Sequence, residues 1–288
     1  MNKILLLGAN GQLGTSFCKI LHKNKMDFAK YDLPLADITN KNNISEIIEF
    51  EKPNIIINCA AYTDVAKAET DINKAMILNG TALKHIVDLC NEASILLCHF
   101  STDYVFDGKS TQSYKENDYA NPLNIYGLSK FVGENIIINY SSKFIIIRTA
   151  ALFGTNSLDS NTNIIEKFIS LGKRYKELSV VADEFTSPTY SDNLAEQALL
   201  IINNNLTGIF HATSEGFCNW YQFAEYLFSK LEMDVELKKV ESKAFCKNFM
   251  KPQFSVLENE KLKQNKINIM YHWKNAVDAY IKERDFNK

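Results

Sequence analysis

The sequence has no long apolar run and no excess of charge of one sign. Every apolar run falls well short of the ~20 residues that a membrane-spanning helix needs, so we expect no membrane among its partners. The 288 residues include 32 basic and 34 acidic side chains, which gives a formal charge of −2. Proteins that hold nucleic acid by bulk charge have a clear excess of lysine and arginine. We therefore expect no nucleic-acid partner either.

Cysteine pairs and metal-ligand spacings are also absent. The six cysteines form no Cys-x-x-Cys pair, and several, such as Cys98, lie inside apolar runs. Buried, unpaired thiols are typical of proteins in a reducing compartment. We predict reduced thiols, no bound metal ion and a cytoplasmic location.

Arginine is scarce, and of the three arginines only Arg148 stands inside a strand-like run. Two interpretations of Arg148 remain open: a contact with substrate, or a structural arginine paired at the edge of a sheet. His99 and His211 border apolar runs of the same kind, and we interpret both as residues that pack in the core.

The first half of the chain alternates short apolar runs with helical patterns. The strand-like runs cover residues 3–7, 28–31, 54–58, 94–100 and 144–147. Strands that are apolar on both faces and separated by helices indicate a parallel sheet covered on each side. We predict an α/β protein with a Rossmann-type, doubly wound parallel sheet.

The pattern loosens after the last of these runs, where helical segments outnumber strands. We predict two domains: a dinucleotide-binding domain over residues 1–150 and a smaller, mostly helical substrate domain over residues 151–288. The pattern leaves open whether the segment 180–202 returns to the first domain.

A glycine-rich segment, Gly8–Gly14 with glycines at 8, 11 and 14, follows the first strand and begins the first helix. Such glycines allow a tight turn and a close approach of the backbone to a pyrophosphate, which the helix N-terminus attracts. Asp32 ends the second strand, where a carboxylate can bind the adenosine ribose. Its charge favours NADH over NADPH, but Lys30 can offset it, so both cofactors remain open. Asp37 and Ile38 are placed to contact adenine, or alternatively form a turn before the next helix.

Tyr126 and Lys130 stand four residues apart at the start of a predicted helix, so their side chains share one face. An ammonium group beside a phenol favours phenolate, and we expect Lys130 to lower the pKa of Tyr126. Thr102 and Asp103 close the strand-like run 94–100, at the sheet edge where α/β proteins bind ligands.

Four segments together carry a resemblance that covers nearly the whole chain. They are GANGQLG (8–14), NCAAYTDVAKAE (58–69), STDYVFDG (101–108) and PLNIYGLSKFVGE (122–134). They resemble the extended short-chain dehydrogenase/reductase family, and within it the dTDP-4-dehydrorhamnose reductases. The resemblance implies an NAD(P)H-dependent reductase of a nucleotide-linked 4-keto-6-deoxy sugar, acting in dTDP-rhamnose and polysaccharide biosynthesis.

Carried over by position, the resemblance implies a catalytic set of Thr102, Tyr126 and Lys130. Tyr126 would protonate the sugar oxygen O4 as hydride reaches C4, and Lys130 would hold the nicotinamide ribose. Thr102, Asp103 and Ala151 would contact the sugar. The residues implied at the cofactor are Gly8, Asn10, Gly11, Gln12, Leu13, Gly14, Asp32, Asp37, Ile38, Ala61, Tyr62, Thr63, Tyr126 and Lys130.

At three positions the sequence differs from related enzymes, and these differences bear on the reaction, the sugar and a bound metal ion. Tyr104 stands where the sugar-nucleotide dehydratases have glutamate, so the base for eliminating water is missing. Ala151 replaces the family's usual tryptophan, which leaves the sugar open, and Thr15 replaces a glutamate that helps bind Mg²⁺ between subunits of some members. The alternatives are a reductase or 4-epimerase of another nucleotide sugar and a non-catalytic NADP-binding regulatory subunit; a homodimer is also left open.

Overall fold

The computed structural model describes residues 3–155, 163–244 and 249–286, so Cys246 lies outside the described residues. Its centre is a six-stranded sheet in the order β10-β5-β4-β3-β1-β2, with every neighbouring pair parallel. The strands of this sheet are β1 (Ile4–Leu7), β2 (Phe28–Tyr31), β3 (Ile55–Asn58), β4 (Leu96–Thr102), β5 (Phe144–Thr149) and β10 (Gly208–His211). The sheet confirms the predicted Rossmann-type α/β fold.

Eleven helices and six shorter or peripheral strands complete the described part of the chain. The helices are α1 (Gln12–Lys23), α2 (Lys41–Glu51), α3 (Val65–Ala68), α4 (Ile72–Met76), α5 (Ala82–Glu92), α6 (Ile125–Tyr140), α7 (Ile164–Arg174), α8 (Ser191–Asn203), α9 (Trp220–Lys230), α10 (Glu260–Gln264) and α11 (Trp273–Phe286). The strands are β6 (Leu152–Phe153), β7 (Glu177–Val181), β8 (Phe185–Thr186), β9 (Thr189–Tyr190), β11 (Cys218–Asn219) and β12 (Glu236–Val240). None of the described helices is long and apolar enough to cross a membrane.

Both faces of the sheet are covered, because its strands are apolar on both sides. All four residues of β1 are fully buried, and they alternate between two separate core clusters. One cluster packs the sheet against α1 and α8, and the other packs it against α2 and α5. Burial of these runs is the main stabilising term of the fold, at about 25 cal/mol per Å² of apolar surface.

The sheet extends further along the chain than the apolar runs indicated. Strand β4 continues to Thr102 because Ser101 and Thr102 pair in register with Arg148 and Thr149 of β5. Helix α8 packs on α1, and β10 pairs with β5 at the sheet edge. The domain boundary at residue 150 stays a prediction, and the sheet itself draws on residues beyond it.

A third core cluster lies among α7, α9 and α11, around the fully buried side chains of Phe153, Phe223 and Tyr280. Short strands accompany these helices, including the parallel pair β7–β12. This part of the molecule supplies the chain segment 249–259, which returns to the edge of the sheet beside Asp103 and Tyr114.

Candidate active site

The glycine-rich loop closes tightly between β1 and α1. Gly8 has φ +74°, and a Cβ there would lie 2.4 Å from the backbone nitrogen of Ala60. A Cβ on Gly14 would lie 2.1 Å from the carbonyl oxygen of Gly8. At Gly11, by contrast, the nearest atom would be 3.5 Å away. Gly8 and Gly14 are therefore required by packing, whereas Gly11 leaves open space in front of the helix.

The start of α1 has the properties of an anion site. Among the described residues, no side chain caps this helix, so its first N–H groups are left for a ligand. Gln12 Oε1 is buried and has no hydrogen-bond partner within the described chain. A buried polar atom without a partner is costly, and a pyrophosphate with its ordered water would supply partners here.

The two glycines give a matched pair of variants. We expect Gly14→Ala to lower the free energy of unfolding by about 1–3 kcal/mol or more, because its methyl group meets backbone. We expect Gly11→Ala, at φ −70°, to change stability by less than about 0.5 kcal/mol but to weaken NADPH binding. Urea unfolding and NADPH fluorescence titration measure the two effects. Unchanged NADPH affinity in Gly11→Ala would place the pyrophosphate elsewhere.

Asp32, just after β2, stabilises the glycine-rich loop through hydrogen bonds. Its carboxylate accepts the N–H of Asn10 at 2.7 Å and that of Leu33 at 2.7 Å. Asp37 accepts the N–H and hydroxyl of Thr39, so its side chain forms the turn before α2. Ile38 is 3% exposed and lies in the core. The adenine contacts of Asp37 and Ile38 stay predictions, and their side chains are already engaged in the fold.

Asn79 links the loop after β3 to the helix that carries Tyr126. Its amide accepts the N–H of Tyr62 at 2.8 Å and donates to the carbonyl of Tyr62 at 2.9 Å. It also donates to Ser129 Oγ at 3.0 Å, and Ser129 donates to the carbonyl of Tyr126. Asn79 lies in a π-helical turn, Ile77–Thr81, which the sequence pattern does not reveal. Loop 61–63 and the first turn of α6 are thus held in one arrangement.

Tyr126 lies in the first turn of α6, which begins where the Asn124 side chain accepts the N–H of Gly127. The side chains of Tyr126 and Thr102 are hydrogen-bonded, and burial raises the pKa of Tyr126 to about 12. The expected lowering of this pKa by Lys130 is therefore wrong, because burial has the larger effect. Tyr126 is a phenol at neutral pH, which is the form that can donate a proton.

Lys130 instead contacts a histidine on the sheet. Its side chain is 2% exposed, and Nζ lies 3.2 Å from Nε2 of His99. Burial lowers the pKa of Lys130 to about 8. The interpretation of His99 as a packing residue missed this contact, because it depends on how β4 and α6 face each other.

Asp103 follows Thr102 at the carboxyl end of β4. Thr102 donates its hydroxyl to Asp103 Oδ1 at 3.0 Å and accepts the N–H of Tyr104 at 3.2 Å. Ser255, from the returning C-terminal segment, also bonds the Asp103 carboxylate. Burial nevertheless raises the pKa of Asp103 to about 6. A sugar hydroxyl that donates to this carboxylate would relieve part of its desolvation.

The raised pKa makes a stability prediction. The folded state prefers neutral Asp103, so this group's contribution is full below about pH 4 and is lost as pH rises through about 6. Between about pH 4 and pH 8 we expect the free energy of unfolding of Asp103→Asn, measured with urea, to rise by about 3 kcal/mol relative to that of the wild type. Asp234→Asn, at a fully exposed carboxylate, is the control. If the free energies of unfolding of Asp103→Asn and wild type changed with pH in parallel, the raised pKa of Asp103 would be contradicted.

The structure resolves the two interpretations of Arg148 in favour of a structural ion pair. Its guanidinium donates to both oxygens of Glu134, at 2.9 and 2.7 Å, and also contacts His211 and the carbonyl of Glu116. All four side chains are less than 5% exposed. Ala151 lies in a left-handed turn (φ +44°) just after β5, and its carbonyl accepts the N–H of Thr189.

Residues 1–286 match the family described as the RmlD substrate binding domain. The chain is 36% identical over 247 residues to a dTDP-4-dehydrorhamnose reductase of Aggregatibacter actinomycetemcomitans, covering 83% of each protein. A solved dTDP-4-dehydrorhamnose reductase from Clostridium acetobutylicum superposes with a TM-score of 0.94 at 34% identity, covering 98% of this chain and 99% of that one. The Bacillus anthracis enzyme in complex with NADP superposes with a TM-score of 0.93 at 33% identity and the same coverage.

Proposed function

We propose that this chain, which belongs to the RmlD substrate binding domain family, reduces a nucleotide-linked 4-keto-6-deoxy sugar with NADPH or NADH. The proposed sugar is of the dTDP-4-dehydrorhamnose type. The observation that carries the proposal is the hydrogen-bonded pair Thr102–Tyr126 at the carboxyl end of β4. This edge is where open α/β sheets bind their ligands. Relatives named as reductases of this sugar class support the substrate.

The residues present fit a nicotinamide dinucleotide. The uncapped start of α1 and the space beside Gly11 suit a pyrophosphate, and the unpartnered Gln12 oxygen can accept from a water molecule ordered beside it. Asp32 keeps lone pairs for a ribose hydroxyl, while exposed Lys30 can offset its charge toward a 2′-phosphate. The NADP complex of the relative from Bacillus anthracis favours NADPH.

In the proposed reaction, the nicotinamide supplies a hydride to C4 of the sugar when it is bound. Tyr126 donates its phenolic proton to the carbonyl oxygen, so that the C=O group becomes CH–OH and the tyrosine is left as phenolate. The Thr102 hydroxyl donates a hydrogen bond to Asp103 Oδ1 and accepts one from the Tyr104 N–H, and the same side chain is hydrogen-bonded to Tyr126. Thr102 therefore holds the phenol at the place where the carbonyl oxygen would bind.

The proposal is tested by incubating the protein with NADPH and a dTDP-4-keto-6-deoxy sugar generated in situ. Loss of nicotinamide absorbance together with formation of the 4-hydroxy product supports it. Cofactor that binds but is not oxidised by the dTDP-, CDP- or GDP-linked keto sugars would contradict it. Stoichiometric NAD that stays bound through turnover without net oxidation would point to a 4-epimerase instead.

A further inference from the structure

A buried chain of three polar side chains runs from the loop after β3 to helix α6. Asn58 Oδ1 accepts the backbone N–H of Ala60 at 3.1 Å. Asn58 Nδ2 lies 3.2 Å from His99 Nδ1, and His99 Nε2 lies 3.2 Å from Lys130 Nζ. Asn58 and His99 are directly paired across strands β3 and β4, which fixes their approach. The three side chains are at most 2% exposed, so water does not compete for these contacts.

The direction of each hydrogen bond follows from its one unambiguous donor. The backbone N–H of Ala60 can only donate, so the oxygen of Asn58 must face it. The amide nitrogen of Asn58 then faces His99 and can only donate, so His99 Nδ1 must accept. A neutral imidazole that accepts at Nδ1 carries its hydrogen on Nε2. That hydrogen points at Lys130.

This direction conflicts with a charged lysine. An ammonium group has three donors and no acceptor, so it cannot receive the Nε2–H of His99. A neutral amine has a lone pair and can receive it. Protonation of His99 to an imidazolium does not remove this conflict, because burial and the Lys130 charge hold the pKa of His99 well below the usual range. The contact is satisfied only when Lys130 has given up its proton.

The other groups around Lys130 do not reverse this preference. Glu134, on the same helix, acts to raise the pKa of Lys130, but both of its oxygens bond Arg148 from β5. Cys59, just after β3, is a neutral thiol at neutral pH because burial raises its pKa well above the usual value. The lowered pKa of Lys130 agrees with the direction that the hydrogen bonds give.

We propose that Asn58 and His99 are positioning residues that aim an N–H group at Lys130 and thereby favour its neutral amine in the free protein. Above the pH at which Lys130 loses its proton, the protein then has to take up a proton when Lys130 binds a cofactor ribose as an ammonium donor. NADPH affinity should therefore fall as pH rises through the range where Lys130 loses its proton. Only this consequence rests on the proposed function; the direction of the hydrogen bonds does not.

Nitrogen NMR of the wild-type protein with ¹⁵N-labelled histidine tests the tautomer directly. The His99 signal is identified by its absence in His99→Gln. We expect the proton on Nε2, with Nδ1 unprotonated, throughout the neutral pH range. A proton on Nδ1, or an imidazolium, would overturn the proposal.

Asn58→Asp is designed to reverse the direction of the hydrogen bonds from residue 58 through His99 to Lys130, with almost no change in side-chain shape. One carboxylate oxygen still accepts the Ala60 N–H, and the other turns His99 Nδ1 into a donor, so that Nε2 becomes an acceptor for the ammonium of Lys130. With ¹³Cε-labelled lysine, identified through Lys130→Met, we expect the titration midpoint of Lys130 to rise by about one pH unit or more. The alkaline limb of NADPH affinity, measured by fluorescence, should move with it.

A reversed His99 tautomer with an unmoved Lys130 midpoint would overturn the coupling between the two residues. A Lys130 midpoint at the ordinary lysine value in wild type would overturn the proposal as a whole. None of these measurements uses a keto sugar, so a failure of sugar reduction is distinguishable from a failure of this inference.

Discussion

Replacement of Tyr126 by phenylalanine is expected to lower kcat for keto-sugar reduction by roughly 10²- to 10⁴-fold, the usual contribution of a positioned acid. The ring is kept, but the only proton donor proposed for the carbonyl oxygen is removed. The hydroxyl is hydrogen-bonded to Thr102, and Tyr126 is a phenol at neutral pH because its pKa is raised to about 12. Steady-state rates under saturating NADPH and sugar measure the loss.

The matched control is Tyr140→Phe at the last residue of the same helix, where the side chain is 58% exposed. It should leave kcat within about twofold, since it touches no part of the site. NADPH binding by Tyr126→Phe, measured by fluorescence, shows that the variant is folded. If folded Tyr126→Phe kept most of the wild-type rate, another group would have to be the acid.

Removal of Arg148 is expected to have the largest effect on stability. In Arg148→Met the Glu134 carboxylate, which is fully buried, loses both of its guanidinium hydrogen bonds. An uncompensated charge in the core costs about 3–5 kcal/mol. We expect that loss in the free energy of unfolding, measured by urea denaturation at neutral pH.

Lys84→Met provides the comparison, because Lys84 pairs with Asp88 at 2.6 Å on the exposed side of α5. Surface pairs of this kind contribute less than about 1 kcal/mol. The double variant Arg148→Met/Glu134→Leu should regain a large part of the lost stability, because neither charge of this pair is then left in the core without its partner. Equal losses of the free energy of unfolding in Arg148→Met and Lys84→Met would show that burial does not determine how much the Arg148–Glu134 pair contributes to stability.

The sheet could be predicted from the sequence because its strands contain runs such as 55–57 and 144–147, which are apolar on both faces. The end of β4 could not, since Ser101 and Thr102 belong to the strand through backbone pairing with β5 and not through an apolar pattern. The π-helical turn around Asn79 also leaves no periodic signal, because a single turn of altered backbone hydrogen bonding is too short to change the apolar pattern.

The candidate site divides in the same way. The spacing of Tyr126 and Lys130 correctly indicated a shared start of helix α6, but spacing alone could not show what each side chain meets. Lys130 meets His99 because strand β4, in which His99 lies 31 residues earlier in the chain, brings the imidazole under the helix. Such a contact depends on strand register and helix docking, neither of which a single sequence displays.

One core cluster combines residues from the first βα unit with residues from the last third of the chain, and this has a consequence for synthesis on the ribosome. One face of the sheet is closed by α8 and by Leu262 and Met270, which join the same core cluster as Leu6 and Phe17 of the first βα unit. A nascent chain that has emerged only as far as β5 therefore still exposes apolar surface on this face. Domains usually fold as units while they emerge, and exposed surface of this kind favours aggregation. We expect protease resistance of stalled nascent chains to appear only after residue 270 has left the exit tunnel.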